Sequence, residues 1–183
     1  MLRNAGNTCE ATQGSLIGSA EYAIANLRTK LLVVSGHTKC GAVTAAVDLI
    51  RDAVQKVRQE RKSGESLRSS AKSDSDHPAP DSPGMSGRVK SLDFVSLTDK
   101  LGSIGSVIAN IAEQAKQAVM SMPTATLQEQ VTLATKLNVF ATIEKMVQNS
   151  PLILDGVKRN EIELHGAIYD IFTGDTMPTL RVA

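Results

Sequence analysis

Aromatic residues and cysteines are scarce in this 183-residue chain, and their scarcity excludes several classes of protein. There is no tryptophan and only 3% of the residues are aromatic, so few side chains could stack on bases or sugars. Cys9 and Cys40 are the two cysteines, too few for a disulfide framework. This usage indicates a reducing compartment, and the cytoplasm and an organelle stroma both remain open.

The chain also lacks an excess of one charge and any long apolar run. Twenty Lys and Arg residues against 19 Asp and Glu residues leave a formal net charge of +1. This balance argues against nucleic acid or an anionic membrane as the main partner and favours a small-molecule substrate. No stretch approaches the roughly 18 consecutive apolar residues of a membrane-spanning helix. We therefore expect a soluble protein with neither a nucleic-acid nor a membrane partner.

What the chain does contain is enough apolar material, 42% of its residues, for a single domain with a buried core. Residues 15–27 have helical apolar spacing behind Ser15, a candidate N-cap. The run KLLVVSG at 30–36 predicts a parallel strand buried on both faces. From Gly41 onward apolar residues recur every three or four positions, which predicts that this strand leads directly into a helix.

The second half of the chain predicts further helices and strands around a polar segment. Residues 61–90 lose all periodicity and are rich in Ser, Asp, Pro and Gly, which predicts a disordered insertion. Two helices follow, one with an apolar stripe from Ile104 to Val119 and the other spanning 126–148. A short helix starting at Pro151, a strand at 162–171 and a last extended segment complete the pattern. We expect one α/β domain over 1–183, with a mainly parallel β-sheet flanked by helices.

The residues with the clearest chemistry are His37 and Cys40, which follow the first predicted strand. The carboxyl edge of parallel strands is where open α/β sheets bind their ligands. A histidine and a cysteine three residues apart supply nitrogen and sulfur donors that suit zinc, and a thiolate there interacts favourably with the following helix dipole. Spacing alone leaves two interpretations open, a metal site or a capping histidine beside a buried cysteine.

Several longer segments narrow this choice. RNAGN at 3–7, GSAEYAI at 18–24, VVSGHTKCGAV at 33–43, NVFATIEKMVQNSPLI at 138–153 and ELHGAIYDIFTG at 163–174 occur in this order. In sequence, order and approximate spacing they resemble the β-class carbonic anhydrases. The resemblance covers residues 1–57 and 136–174 and leaves the polar insertion outside.

The resemblance implies a β-carbonic anhydrase-like α/β fold, a homodimer or larger assembly, and one Zn2+ per site held by two cysteines and one histidine. His37 and Cys40 match two of these ligands. Arg3 is expected to support the site through hydrogen bonds, and Gly41 to allow close backbone approach beside the metal. Zinc lowers the pKa of its bound water to about 7, so the implied reaction is reversible hydration of carbon dioxide to bicarbonate.

One family feature has no match in these 183 residues. The C-x-D-x-R motif, which carries the remaining zinc cysteine and an Asp-Arg dyad, is absent together with the N-terminal strand that bears it. Two protein ligands alone would hold zinc weakly, because catalytic zinc sites normally have three. Two hypotheses follow, a zinc-dependent carbonic anhydrase seen as an incomplete chain and a non-catalytic subunit that associates with a complete homologue. Small sulfur analogues of carbon dioxide also remain possible substrates.

Cys9, His77 and His165 are the other cysteine and histidines from which a third ligand could come. Cys9 follows RNAGN and could lie near the site, although it does not match the family's ligand position and a buried thiol is the simpler interpretation. His77 lies among Asp and Pro in the predicted insertion and is expected to be solvated. His165 is expected to be a hydrogen-bonded structural residue on the last long strand.

Overall fold

The computed structural model describes residues 1–9, 14–69 and 101–182. After a short 3-10 turn at Ala5–Asn7, the described part contains five α-helices and three β-strands. The helices are α1 (Ser15–Leu27), α2 (Gly41–Ser69), α3 (Ser103–Ser121), α4 (Leu127–Asn149) and α5 (Pro151–Lys158). The strands are β1 (Leu31–His37), β2 (Glu163–Tyr169) and β3 (Thr176–Val182).

The three strands form one mixed sheet in the order β1-β2-β3. β1 runs parallel to β2, with Leu31 opposite Glu163 and His37 opposite Tyr169. β3 returns antiparallel to β2, with a register irregularity at Gly166 and Ala167. The α/β fold is therefore confirmed, and the described sheet combines one parallel with one antiparallel pairing.

Helix α4 lies across one face of the sheet and organises the core. Gly36 on β1 and Gly166 on β2 allow the approach, because a Cβ atom built at either residue would come within 3.0 Å of Val139 on α4. Two apolar clusters meet this helix. One joins α1, the sheet and α5 and includes Ile17, Val34, Ile153 and Leu164; the other joins α2 and α3 and includes Val47, Ile50, Ile111 and Ala115.

The prediction that β1 is buried on both faces is wrong. Val34 and Gly36 point to α4 and are buried, but Leu31 and Val33 on the opposite face are 51% and 53% exposed. The physical reason is that no element in the described ranges covers that face. β1 also pairs with β2 alone among the described strands, so its outer edge has no ladder partner there.

Three local boundaries differ from those predicted. Ser15 is the first residue of α1 and Gly14 is its N-cap, without a side-chain capping bond. Ile104, expected in the apolar stripe, is 67% exposed. It lies in the first turn of α3, before most of the residues that this helix buries. Helix α2 continues to Ser69, past the predicted start of the insertion at 61, and no proline interrupts it there. Residues 70–90 lie outside the described ranges.

The remaining predicted elements are present. α4 begins behind Thr126, whose side chain accepts from the Glu129 amide while the Glu129 side chain accepts from the Thr126 amide, a complete capping box. Ser150 caps α5 by accepting from the Ile153 amide and donates its hydroxyl to Glu21 on α1 at 2.6 Å. Within the described ranges no helix is long and apolar enough to cross a membrane.

Candidate metal centre

His37 and Cys40 flank the short connection between β1 and α2. His37 is the last residue of β1, and Cys40 directly precedes the first residue of α2. Between them Lys39 has a φ of 53°, a left-handed conformation that turns the chain sharply from strand to helix. The sheet and the helix therefore place both candidate ligands on one tight loop at the carboxyl edge of β1.

The hydrogen bonding of His37 indicates which ring nitrogen is available for a ligand. The side chain is exposed, and its Nδ1 lies 2.9 Å from the backbone oxygen of Thr38. A carbonyl oxygen can only accept, so Nδ1 carries the proton in this bond, and in the neutral ring Nε2 then presents its lone pair. Metal-binding histidines commonly have this arrangement, in which the second nitrogen donates to a carbonyl and fixes the ring.

Cys40 is the last residue of the loop between β1 and α2. Its side chain is 6% exposed, and its carbonyl accepts from both the amide and the hydroxyl of Thr44 at 2.9 Å. A thiolate at such a position gains from the orientation of the helix dipole. A Cβ atom built at Gly41 would meet nothing within 4 Å, so the space beside Cys40 is open.

The turn between β2 and β3 holds the His37 to Cys40 loop in place. The Thr38 amide donates to the Tyr169 carbonyl at 2.9 Å, and the Thr38 hydroxyl accepts from the Ile171 amide at 3.2 Å. The Lys39 ammonium lies 4.1 Å from the centre of the Phe172 ring, a cation-π contact. Thr38 is thus bonded on one side to His37 and on the other to this turn.

The RNAGN turn is brought beside the start of α2 by a different set of contacts. Gly6 has a φ of 74°, and a Cβ atom there would lie 2.5 Å from Ile111 and 3.5 Å from the Ala42 side chain. Asn138 on α4 donates its amide to the Gly6 carbonyl at 2.6 Å, and Thr142 donates its hydroxyl to the Asn7 carbonyl at 2.8 Å. The two most specific sequence motifs are therefore neighbours in the fold.

The other candidate residues lie in varied places. Arg3 is exposed and its Nε donates to the Met1 sulfur at 3.3 Å. Cys9 is buried in the apolar cluster between α1, α4 and the sheet. His165 is hydrogen-bonded to Glu163 at 2.9 Å, as predicted, and Arg181 lies 3.6 Å from the same carboxylate. His77 falls outside the described ranges.

His37 and Cys40 supply atoms of the type that zinc binds, but two protein ligands are fewer than the three of a typical catalytic zinc site. An imidazole nitrogen with a fixed tautomer and a cysteine sulfur at a helix start are ligands that zinc prefers. Across residues 1–9, 14–69 and 101–182, however, no group of three or more His, Cys, Asp or Glu side chains is placed to hold a metal ion. His37 and Cys40 are therefore two candidate zinc ligands, one fewer than the three protein ligands of a typical catalytic zinc site.

Sequence reasoning missed the residues that support this loop. Thr38 lies between the two predicted ligands, yet nothing in the sequence marks its hydroxyl as the partner of an amide 133 positions away. Asn138 and Thr142 gave a usable signal, since they are polar residues at the spacing of the apolar face of α4. Buried polar groups of this kind are normally hydrogen-bonded, and here their partners belong to RNAGN.

We expect Thr38→Val to release the β2-β3 turn from the loop while Thr38→Ser keeps it. Valine has a methyl group in place of the hydroxyl, so the Ile171 amide loses its acceptor and the free energy of unfolding falls by about 0.5–1 kcal/mol. Amide hydrogen exchange at Ile171 should become faster in Thr38→Val and remain near wild type in Thr38→Ser. Equal exchange in all three proteins would contradict this role.

The carbonic anhydrase family model matches residues 1–90 and 87–176. Carbonic anhydrase 2 of Mycobacterium tuberculosis is 42% identical over 52 residues, which are 28% of this chain and 24% of that protein. The chain belongs to the carbonic anhydrase family.

Solved structures place the fold within the β class. The β-carbonic anhydrase CcaA aligns with a TM-score of 0.64 and 19% identity, covering 97% of this chain and 65% of that one. A tetrameric β-carbonic anhydrase from Sordaria macrospora aligns with a TM-score of 0.61 and 20% identity, covering 97% and 66% respectively. The chain thus spans less than two thirds of these structures and about a quarter of the curated relative.

Proposed function

We propose that this chain takes part in the zinc-dependent, reversible hydration of carbon dioxide to bicarbonate, with His37 and Cys40 as ligands of the zinc. The observation that carries the proposal is the His37 to Thr38 hydrogen bond in the family-matched loop. This bond leaves the Nε2 lone pair of His37 available to a metal, three residues from the buried sulfur of Cys40. Zinc, when bound, makes hydroxide available from water near neutral pH.

The residues of this chain then have separate tasks. His37 and Cys40 hold the metal, and Thr38 fixes the loop through its bonds to Tyr169 and Ile171. The open space at Gly41 leaves room for a small substrate beside Cys40. Arg3 precedes the segment that Asn138 holds near α2, and in the proposal its exposed guanidinium is available to hydrogen-bond at the site. At least one further ligand comes from outside the described residues or from a partner chain.

Zinc content and activity measured on the same preparation test this proposal. Protein purified without added metal should contain close to one zinc per chain and should accelerate carbon dioxide hydration in a stopped-flow pH-indicator assay. Dialysis against a chelator should abolish the acceleration, and added zinc should restore it. A folded protein that contains no zinc and takes up none would overturn the proposed function.

A second candidate, a non-catalytic subunit that associates with a complete homologue, is favoured by a specific observation. Leu31 and Val33 expose one face of β1, whose outer edge lacks a partner strand in the described ranges. Such edges invite pairing with another chain, and the Sordaria macrospora relatives are tetrameric by their own description. Co-expression with a complete β-carbonic anhydrase distinguishes the two candidates. Zinc-free chain that co-purifies with the homologue supports the subunit, whereas zinc-loaded active chain alone supports the enzyme.

A further inference from the structure

A cavity of about 140 Å³ opens beside the middle of α2, away from the start of this helix where Cys40 lies. It lies between α2, the end of α3 and the start of α4. Its polar lining residues include Arg51, Arg58 and Gln130, and its apolar wall includes Val54, Val119 and Pro123. Arg51 and Arg58 are two helical turns apart, so they lie on the same face of α2.

Arg51 is held in position by a buried amide. Its Nη1 donates to the Gln130 side-chain oxygen at 2.5 Å and lies 3.4 Å from the Ala125 carbonyl. Gln130 is only 1% exposed, and its own NH2 group donates to the Met122 carbonyl at 2.7 Å. A guanidinium group has five N–H donors, so these bonds orient Arg51 and leave donors for a ligand.

The positive charge of the cavity has no counterpart in its lining. No carboxylate lines it, and neither Arg51 nor Arg58 takes part in an ion pair among the described residues. Glu129 is next to Gln130 in sequence, but its carboxylate accepts from the hydroxyl and the amide of Thr126 at 2.8 Å. These bonds lower the pKa of the Glu129 carboxyl and keep its charge at the helix N-cap.

We propose that this cavity binds a small oxyanion, a phosphate or carboxylate group carrying a short apolar portion. Arg51 and Arg58 offer charge-assisted hydrogen bonds to the anion, and the planar guanidinium matches the spacing of two of its oxygens. The apolar wall would contact the remainder of the ligand. At 1.5 Å per residue, Arg51 is about 16 Å along α2 from Cys40, so this site is separate from the metal centre.

The sharpest test compares Arg58→Gln with Lys56→Gln. Both variants remove one positive charge from an exposed position on the same helix, but only Arg58 lines the cavity. Inorganic phosphate and phenyl phosphate serve as probes, with sodium chloride at equal ionic strength as the control for general salt effects. Binding is measured by NMR titration of the Gln130 side-chain amide and by the shift of the thermal midpoint.

We expect both probes to bind wild type and Lys56→Gln alike, and the Kd to rise at least tenfold in Arg58→Gln. Phenyl phosphate binding more tightly than inorganic phosphate would assign the site to a small organic anion, and equal binding would assign it to the phosphate group alone. The proposal is overturned if phosphate has no more effect than chloride, or if the two variants lose affinity equally.

Discussion

Cys40→Ala should purify with less than a tenth of the zinc of the wild-type protein, while Cys9→Ala keeps its full content. The described residues contribute two candidate ligands, and the sulfur of Cys40 is the donor with the greatest affinity for zinc among them. Removing it leaves one imidazole from this loop, which cannot retain the metal through purification. Zinc per chain, measured by atomic emission after purification without added metal, gives the result directly.

Cys9→Ala is the matched control because Cys9 and Cys40 are the two cysteines and both are buried. Cys9 lies in the apolar cluster on the α4 side of the sheet, whereas Cys40 lies at the start of α2. The control therefore removes a buried thiol without touching the loop. Parallel loss of zinc in both variants would mean that Cys9 is a ligand, and unchanged zinc in Cys40→Ala would remove Cys40 from the site.

The second large effect is expected from Asn138→Ala, which should lower the free energy of unfolding by about 2–3 kcal/mol. Asn138 is 4% exposed and donates at 2.6 Å to the Gly6 carbonyl. Alanine leaves that acceptor without its donor and creates a cavity between α4 and the RNAGN turn. For a domain of this size the loss corresponds to a thermal midpoint lower by roughly 4–12 °C. Urea unfolding followed by circular dichroism measures it.

Asn110→Ala provides the comparison for this prediction. Asn110 also lies on a helix and donates its amide to a carbonyl, that of Ser106 at 3.0 Å, but it is exposed, so water can replace the bond. Its loss should cost no more than about 0.5 kcal/mol. Similar losses for the two variants would contradict the role of Asn138 in holding RNAGN against α4.

The sequence alone determined the main elements and the position of the candidate ligands at the end of β1 and the start of α2. The apolar spacing in residues 15–27 and 126–148 predicted α1 and α4, because a helix that buries one face repeats its apolar residues every three or four positions. The run before His37 predicted β1, and the change of period after Cys40 predicted α2. Both candidate ligands follow from that junction, since strand, loop and helix start are consecutive in the chain.

Tertiary structure decided everything that depends on residues distant in sequence. The sequence pattern predicts that Val33 is buried, yet it is exposed, because burial depends on which elements cover that face of the sheet. Asn138 reaches Gly6 and Thr38 reaches Ile171 only because α4 and the β2-β3 turn are folded against these segments. The cavity at Arg51 likewise needs Gln130, 79 positions away. Local periodicity specifies which face of an element is apolar, whereas the partner of that face is fixed by packing across the whole chain.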